Sequence, residues 1–327
     1  MEAQRPLLAC SGGGHLKQLL QLLPRMSGLR QDAVWMTFDT GLSRGVLADA
    51  GARGQRVVLV PYAAPRDVPA LLRIAATARK VLDEEPVDVA VSTGAGIALA
   101  VLPLASRRGI PAHYIESATR IQGPSLTGRT IRWSPGVHLY TQQRAWVRRP
   151  WRYAGSVFDG FERSRRNGEQ RPIRRAVVTV GTTESYGFRR LIERVRQLLP
   201  ADAEVLWQTG ATDTSGLGID GRPVVPAEEL HAAIAESDVV IAHAGTGIAL
   251  TAFELGRCPV LVPRERAFDE HVDDHQVHTA TMLAARGLAV TARADQLGEH
   301  HLADAAASAI RLVSSPPPFR LSSGARQ

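Results

Sequence analysis

Short apolar runs recur along the chain, separated by stretches with helical spacing. In the first half they are Pro6 to Cys10, Ala33 to Phe38, Val57 to Val60, Val87 to Ser92 and Ala112 to Ile115. Most are followed by glycine, serine or threonine and then by apolar residues spaced for one helix face, which is the alternation of a parallel α/β sheet. After Tyr153 the pattern lapses into GSVFDGFERSRRNGEQRPIRR, polar and punctuated by glycine. It restarts at Ala176 to Val180 and continues through Glu204 to Gln208, Val239 to His243, Pro259 to Val262 and Ala289 to Thr291. The expectation is a first domain over 1–154, a linker over 155–175, a second domain over 176–312 and a proline- and serine-rich tail, surface-bound or mobile, over 313–327. Two doubly wound domains facing a cleft would take ligands beyond the carboxyl ends of their strands.

Composition narrows the class. Of 327 residues, 44% are hydrophobic and 22% charged, so the chain can bury a core and is neither disordered nor fibrous. Cys10 and Cys258 are far apart, which removes a disulfide framework and a cysteine zinc site and fits a reducing cytoplasm. The N-terminal residues reach glycine before an apolar stretch of secretory length, so a cytoplasmic protein is expected. Val89 to Ser106 is uncharged, but Ser92, Thr93, Gly94, Gly96 and Pro103 divide it into a strand, a turn and a short helix.

The net charge of +7 rests on arginine, since Lys17 and Lys80 are the only lysines. Arg144, Arg148, Arg149 and Arg152 interleave with Trp146 and Trp151, and Arg163, Arg165, Arg166, Arg171, Arg174 and Arg175 follow. These are solvated faces and a charged linker, or a surface for anionic membrane. Nucleic acid is not an expected partner, because no recognised module is present and aromatic residues make up only 5%.

Candidate chemistry gathers at strand-to-helix turns. The first strand runs into Ser11-Gly12-Gly13-Gly14-His15 and then a leucine-rich helix, where glycines let backbone amides approach a phosphate. The spacing differs from a dinucleotide fingerprint, and a tight turn with a capping serine is the plain alternative. His243-Ala244-Gly245-Thr246-Gly247 repeats the design, with Glu254 two turns along the following helix, where a carboxylate suits a ribose diol. Further on, His271, His275 and His278 have the spacing of metal ligands, with Asp274 adjacent. Alternatively Asp274, His275 and Gln276 hydrogen-bond the hydroxyls of a sugar.

Together these motifs resemble a family. VVTVGTT at 177–183, HAGTG at 243–247, Glu254 and DDHQ at 273–276 are similar to the catalytic subunit of the dolichol-pathway UDP-N-acetylglucosamine transferase, and more distantly to MurG-type enzymes of glycosyltransferase family 28. SGGGHLKQLLQL at 11–22, VSTGAGIALA at 91–100 and YIESATRIQGPSLTG at 114–128 resemble its membrane-recruiting partner subunit, and are closer still to the bacterial exopolysaccharide versions of that pair. The chain therefore resembles both subunits fused. The resemblance implies a GT-B fold of two Rossmann-like domains facing a cleft. It also implies inverting transfer from a UDP-sugar to a lipid-diphosphate-linked sugar, with no cofactor and no required metal. The donor sugar stays open among N-acetylglucosamine, glucuronic acid, glucose and galactose. By position, Gly245, Thr246 and Gly247 would hold the diphosphate, Glu254 the ribose, and Asp274, His275 and Gln276 the sugar, with His243 and Gly181 also at the donor site, while Thr182 and Thr183 line the cleft. Gly13, Gly14, His15, Thr93, Gly94 and Arg120 would face the acceptor. His15 and Glu116 are both candidates for the base, and Glu116 has a plainer reading as a structural partner of Arg120. Lacking the eukaryotic membrane helix, the chain is expected to attach peripherally to the inner face of the plasma membrane, through the Gly96 to Leu104 helix or the Arg144 to Arg152 segment. Other readings are a UDP-sugar transferase acting on a soluble natural product or specialised lipid, and a nucleotide-sugar-binding scaffold without turnover.

Overall fold

The computed structural model describes residues 3–52, 54–64, 67–166, 172–182, 186–272 and 274–322. They form two compact units, Met1–Gly160 with Ser315–Gln327, and Phe161–Ser314.

Unit 1 runs β1 (Pro6–Cys10), α1 (Gly14–Leu22), β2 (Val34–Phe38), α2 (Gly41–Ala52), β3 (Arg56–Val60), α3 (Val68–Glu84), β4 (Val89–Gly94), α4 (Ile97–Arg107), β5 (Ala112–Ile115), α5 (Leu126–Ile131), β6 (Val137–Thr141) and β7 (Trp151–Tyr153). Among the described residues the strands make one parallel sheet in the order β3-β2-β1-β4-β5-β6-β7. The β1, β2 and β4 strands are buried along their whole length, which is why they read as unbroken apolar runs. The α3 helix starts where the Asp67 side chain accepts from Ala70 N, and buries Ala70, Ile74, Ala78 and Val81, one face at helical spacing. With α4 it closes a core over β1 and β2.

Unit 2 runs β8 (Phe161–Arg165), β9 (Arg175–Thr179), α6 (Arg189–Leu198), β10 (Glu204–Gln208), β11 (Gly221–Arg222), α7 (Ala227–Glu236), β12 (Val239–His243), α8 (Thr246–Glu254), β13 (Val260–Val262), α9 (His275–Ala285), β14 (Val290–Thr291), α10 (Glu299–Ala306) and β15 (Ser308–Leu312). Its parallel sheet has the order β11-β10-β9-β12-β13-β14, and β8 pairs antiparallel with β15. Each main sheet therefore reverses its winding beside its first strand, between β1 and β4 and between β9 and β12. Crevices at such reversals are where open α/β sheets bind ligands.

The segment expected as a linker is instead built into both units. Val157 and Phe158 are buried in unit 1, and Phe161 opens β8 with its ring 5.3 Å from that of Phe253. Residues 167–171 lie outside the described residues. The expected tail returns to unit 1 with Phe319 fully buried, so it is anchored by an apolar side chain.

Candidate active site

Both glycine turns sit at the winding reversals. In unit 1 the chain leaves β1 through Ser11 to Gly14, and Ser11 N donates to Gly94 O at 2.8 Å, joining that turn to the end of β4. Gly13, with φ 65°, is the N-cap of α1 and makes no side-chain capping bond, so the serine cap expected as the plain alternative is absent among the described residues. Gly94 has φ 106°, and a Cβ there would stand 3.0 Å from His15 Cε1, so glycine is needed for both reasons.

His15 is partly buried and clasped at both ends: its Nδ1 meets Thr93 O at 2.6 Å, and Thr93 Oγ1 donates to His15 O at 2.9 Å. A carbonyl only accepts, so Nδ1 carries the proton, and the Nε2 lone pair has no hydrogen-bond partner among the described residues. Burial holds His15 below the usual histidine range, with Arg120 adding to the effect and the Thr93 carbonyl opposing it. The imidazole is thus neutral at pH 7 and poised to accept a proton.

Glu116 differs. It is 1% exposed, its Oε1 accepts from Tyr114 OH and Ser117 N, each at 3.2 Å, and its Oε2 accepts from Ser125 N at 2.9 Å and Ser125 Oγ at 3.1 Å. Burial raises its pKa while the Ser125 and Ser117 donors oppose the rise. All four donors belong to unit 1, so Glu116 organises the 114–128 segment. The expected pairing with Arg120 is not a contact ion pair; Arg120 acts on the carboxyl only as a nearby charge. Gln18, missed by the sequence reading, ties the same segment to the glycine turn. It donates to Gly14 O at 3.1 Å and Ser117 Oγ at 3.2 Å and accepts from Ala118 N at 2.9 Å.

In unit 2 the ends of β9 and β12 are neighbours, with Ala242 opposite Thr179. His243 fills the space between two glycines. A Cβ on Gly181, whose φ is 83°, would stand 2.8 Å from His243 Cε1, and a Cβ on Gly245 would collide with the same ring. Burial, with Arg264, His271 and His275 nearby, pulls His243 down to about 4 against the opposing pull of the Thr179 main chain. Gly245 caps α8 without a side-chain bond, and beside it the buried His243 Nδ1 and Thr246 Oγ1 have no hydrogen-bond partner among the described residues. Buried orphan atoms are rare and call for a partner. Gly247 follows in the first turn of α8, and Glu254, partly buried, closes the helix.

Thr182 is exposed, and Thr183 lies outside the described residues. Asp274 is exposed and accepts from Arg266 N at 2.9 Å, while Gln276 is 4% exposed and its Oε1 accepts from Arg264 N at 3.1 Å. Gln276 thus serves its own unit with one end and keeps its amide nitrogen for other bonds. His271 stacks on Tyr186 at 5.9 Å and meets His275 edge-on at 4.5 Å. Among the described residues no three or more His, Cys, Asp or Glu side chains are grouped to hold a metal ion.

The expected membrane helix needs correction. In α4 Ile97, Ala98, Ala100, Val101, Leu102 and Ala105 are buried against the sheet and α3, so this helix has no apolar face to offer a bilayer. In the Arg144 to Arg152 segment Trp151 is buried and Trp146 donates to Arg120 O at 2.7 Å, leaving the arginines outside. The exposed apolar side chains around α5 are Leu126, 59% exposed, and Trp133, 76% exposed, with Arg132 stacked on the Trp133 ring. No helix among the described residues is long and apolar enough to cross a membrane.

Residues 175–308 match the glycosyltransferase family 28 C-terminal domain. The chain is 33% identical over 149 residues to the UDP-N-acetylglucosamine–N-acetylmuramyl-(pentapeptide) pyrophosphoryl-undecaprenol N-acetylglucosamine transferase of Ralstonia nicotianae, covering 42% of this chain and 40% of that protein. It is 29% identical over 236 residues to the enzyme of the same name from Verminephrobacter eiseniae, covering 66% of this chain and 63% of that protein. The chain thus spans less than two thirds of either relative. In fold it is similar to MurG of Acinetobacter baumannii, with a TM-score of 0.55 at 18% identity over 92% of this chain and 89% of that one. The fold is GT-B.

Proposed function

We propose that this chain is an inverting glycosyltransferase that moves a sugar from a UDP-sugar to a polyprenyl-diphosphate-linked sugar in cell-surface polysaccharide synthesis. We further propose that it works peripherally at the cytoplasmic face of the plasma membrane. One observation carries the reading: the orphan His243 Nδ1 and Thr246 Oγ1 at the uncapped start of α8, inside the segment similar to the family 28 domain. A helix N-terminus with buried unpartnered polar atoms is suited to an anion.

In this reading the amides of Gly245 to Gly247 and the Thr246 hydroxyl take the diphosphate. Glu254, roughly 10 Å further along the same face of α8, takes the ribose diol. Gly181 and Thr182 border the phosphates, and Asp274, His275 and Gln276 take the donor sugar. In unit 1 the amides of Gly13 and Gly14, with Thr93, Gly94 and Arg120, take the acceptor. His15 Nε2 removes the proton of the attacking hydroxyl as its oxygen bonds to the anomeric carbon. The bond from that carbon to the β-phosphate oxygen breaks, UDP leaves with the electron pair, and the α8 N-terminus offsets its charge. A lipid-linked acceptor is favoured over a soluble one by the exposed Leu126 and Trp133 beside the exposed Arg107, Arg129 and Arg132.

The test is calorimetric titration of UDP into the full chain with a chelator present. Binding is expected to be selective over ADP and GDP, and weaker by about tenfold or more in Glu254→Ala, the worth of hydrogen bonds to a charged group. A wild-type chain that ignores UDP would overturn the reading.

A further inference from the structure

We infer that Arg264 is a positioning residue of the donor site, holding the glycine turn after β9 and the Tyr186–His271–His275 ring series at the spacing a UDP-sugar needs. The inference rests on the reading of unit 2 as the UDP-sugar site.

Arg264 follows the end of β13 and is 1% exposed. Burying a guanidinium costs several kcal/mol unless its N–H groups are all met. Here four main-chain carbonyls meet its two terminal nitrogens. Nη2 donates to Val180 O at 2.7 Å, and Nη1 is shared among Tyr186 O at 2.7 Å, Glu270 O at 3.2 Å and Gly187 O at 3.3 Å. The nearby Glu270 carboxylate is engaged elsewhere, with Arg190 at 2.8 and 3.0 Å and with Glu265 N at 3.1 Å. The buried charge is therefore spent on fixing loops.

Those loops carry the site. Val180 immediately precedes Gly181, whose backbone lies against His243. Tyr186 is one end of the ring series, and Glu270 is the residue before His271, its middle member. The main chain of Arg264 also donates to Gln276 Oε1, next to His275 at the start of α9. One side chain thus sets the turn proposed to border the phosphates and the rings proposed to border the sugar. Lysine cannot replace it, because a single ammonium on a flexible stem cannot reach carbonyls on two sides at once.

The experiment titrates UDP and UDP-N-acetylglucosamine into the full wild-type chain, Arg264→Lys and Tyr186→Leu, reading both affinity and stoichiometry, with circular dichroism on each. Wild type is expected to bind with a stoichiometry near one. Arg264→Lys is expected to keep that stoichiometry and bind UDP at least tenfold more weakly. A purely structural role would instead lower the stoichiometry with the folded fraction and leave affinity intact, which overturns the inference. Should Arg264→Lys fail to fold, Tyr186→Leu, which alters a partly exposed ring, decides: it is expected to weaken UDP-N-acetylglucosamine more than UDP, and equal affinity for both at the wild-type level overturns the inference. A wild-type chain that binds neither ligand overturns the donor-site reading, and the inference with it.

Discussion

At the scale of single residues, His15 and Glu116 compete as bases in the sequence, and their surroundings differ. His15 has one nitrogen committed to Thr93 O and one without a partner among the described residues, whereas both oxygens of Glu116 are committed to donors of their own unit. His15→Ala is expected to lower kcat by about 100-fold or more, the ordinary worth of a general base, with UDP affinity unchanged. The base must be neutral, and burial depresses its pKa. Activity should therefore be flat above the ordinary histidine value of about 6.5 and fall only as pH drops through the depressed value, and the acid limb should vanish in His15→Ala. Glu116→Gln should keep that limb and instead cost about 1–3 kcal/mol of stability, since an amide nitrogen would face a donor it cannot accept from. Loss of the limb in Glu116→Gln would exchange the two roles. The placement of the glycines and His15 at a strand-to-helix turn was legible because a strand running into glycines predicts such a turn. Arg264 was not, since VPRER reads as a charged loop and nothing in the string says which arginine turns inward.

At the scale of elements, the strands read from apolar runs include those buried along their whole length, β1, β2 and β4. The ones missed have other patterns. FERSR forms β8 against β15 in a two-stranded ribbon, where the half-buried Arg163 is met by Ser308 and Asp304. Trp151 opens β7 inside what reads as a charged cluster. The same confusion of burial with patterning affected the membrane surface. An apolar helix suggested α4, but a helix apolar all round is core, and the exposed apolar groups flank α5 instead. Arg107, Arg129 and Arg132 are exposed there and form no ion pair among the described residues. The chain is expected to float with vesicles containing anionic lipid more than with phosphatidylcholine alone. At about 1 kcal/mol per surface arginine, Arg129→Glu with Arg132→Glu should reduce that binding by more than about tenfold. Trp133→Ser should weaken binding to both vesicle types. A wild-type chain indifferent to both would sink the proposed membrane face.

At the scale of the molecule, two sheets of the same winding order explain why the motifs fall in corresponding places, and the repeated alternation made that much readable. What the alternation cannot convey is a long-range return, because the segment from Ser315 has neither helix nor strand spacing and reads as loose polar chain. Its seat in unit 1 is nonetheless specific. Phe319 is fully exposed to neither solvent nor chance contact: it is 0% accessible, its ring lies 6.3 Å from that of Tyr140, and a Cβ on Gly155 would stand 3.2 Å from its Cδ2. Backbone bonds hold the segment on either side, with Phe319 N donating to Arg25 O at 2.8 Å, Arg25 Nε donating to Pro317 O at 3.0 Å and Ser322 N donating to Tyr140 OH at 2.9 Å. Removing a fully buried phenyl ring costs about 3–5 kcal/mol, whereas removing one hydroxyl hydrogen bond costs about 1 kcal/mol. Phe319→Ala is therefore expected to lower the stability of unit 1 several times more than Ser322→Ala. Hydrogen exchange locates the effect: protection should fall in β6 and at Ala154 to Gly160, while β9 and β12 keep theirs. Unchanged exchange in β6 would mean that the segment rests on unit 1 without stabilising it. A fall spread equally over both sheets would mean that the two units unfold as one.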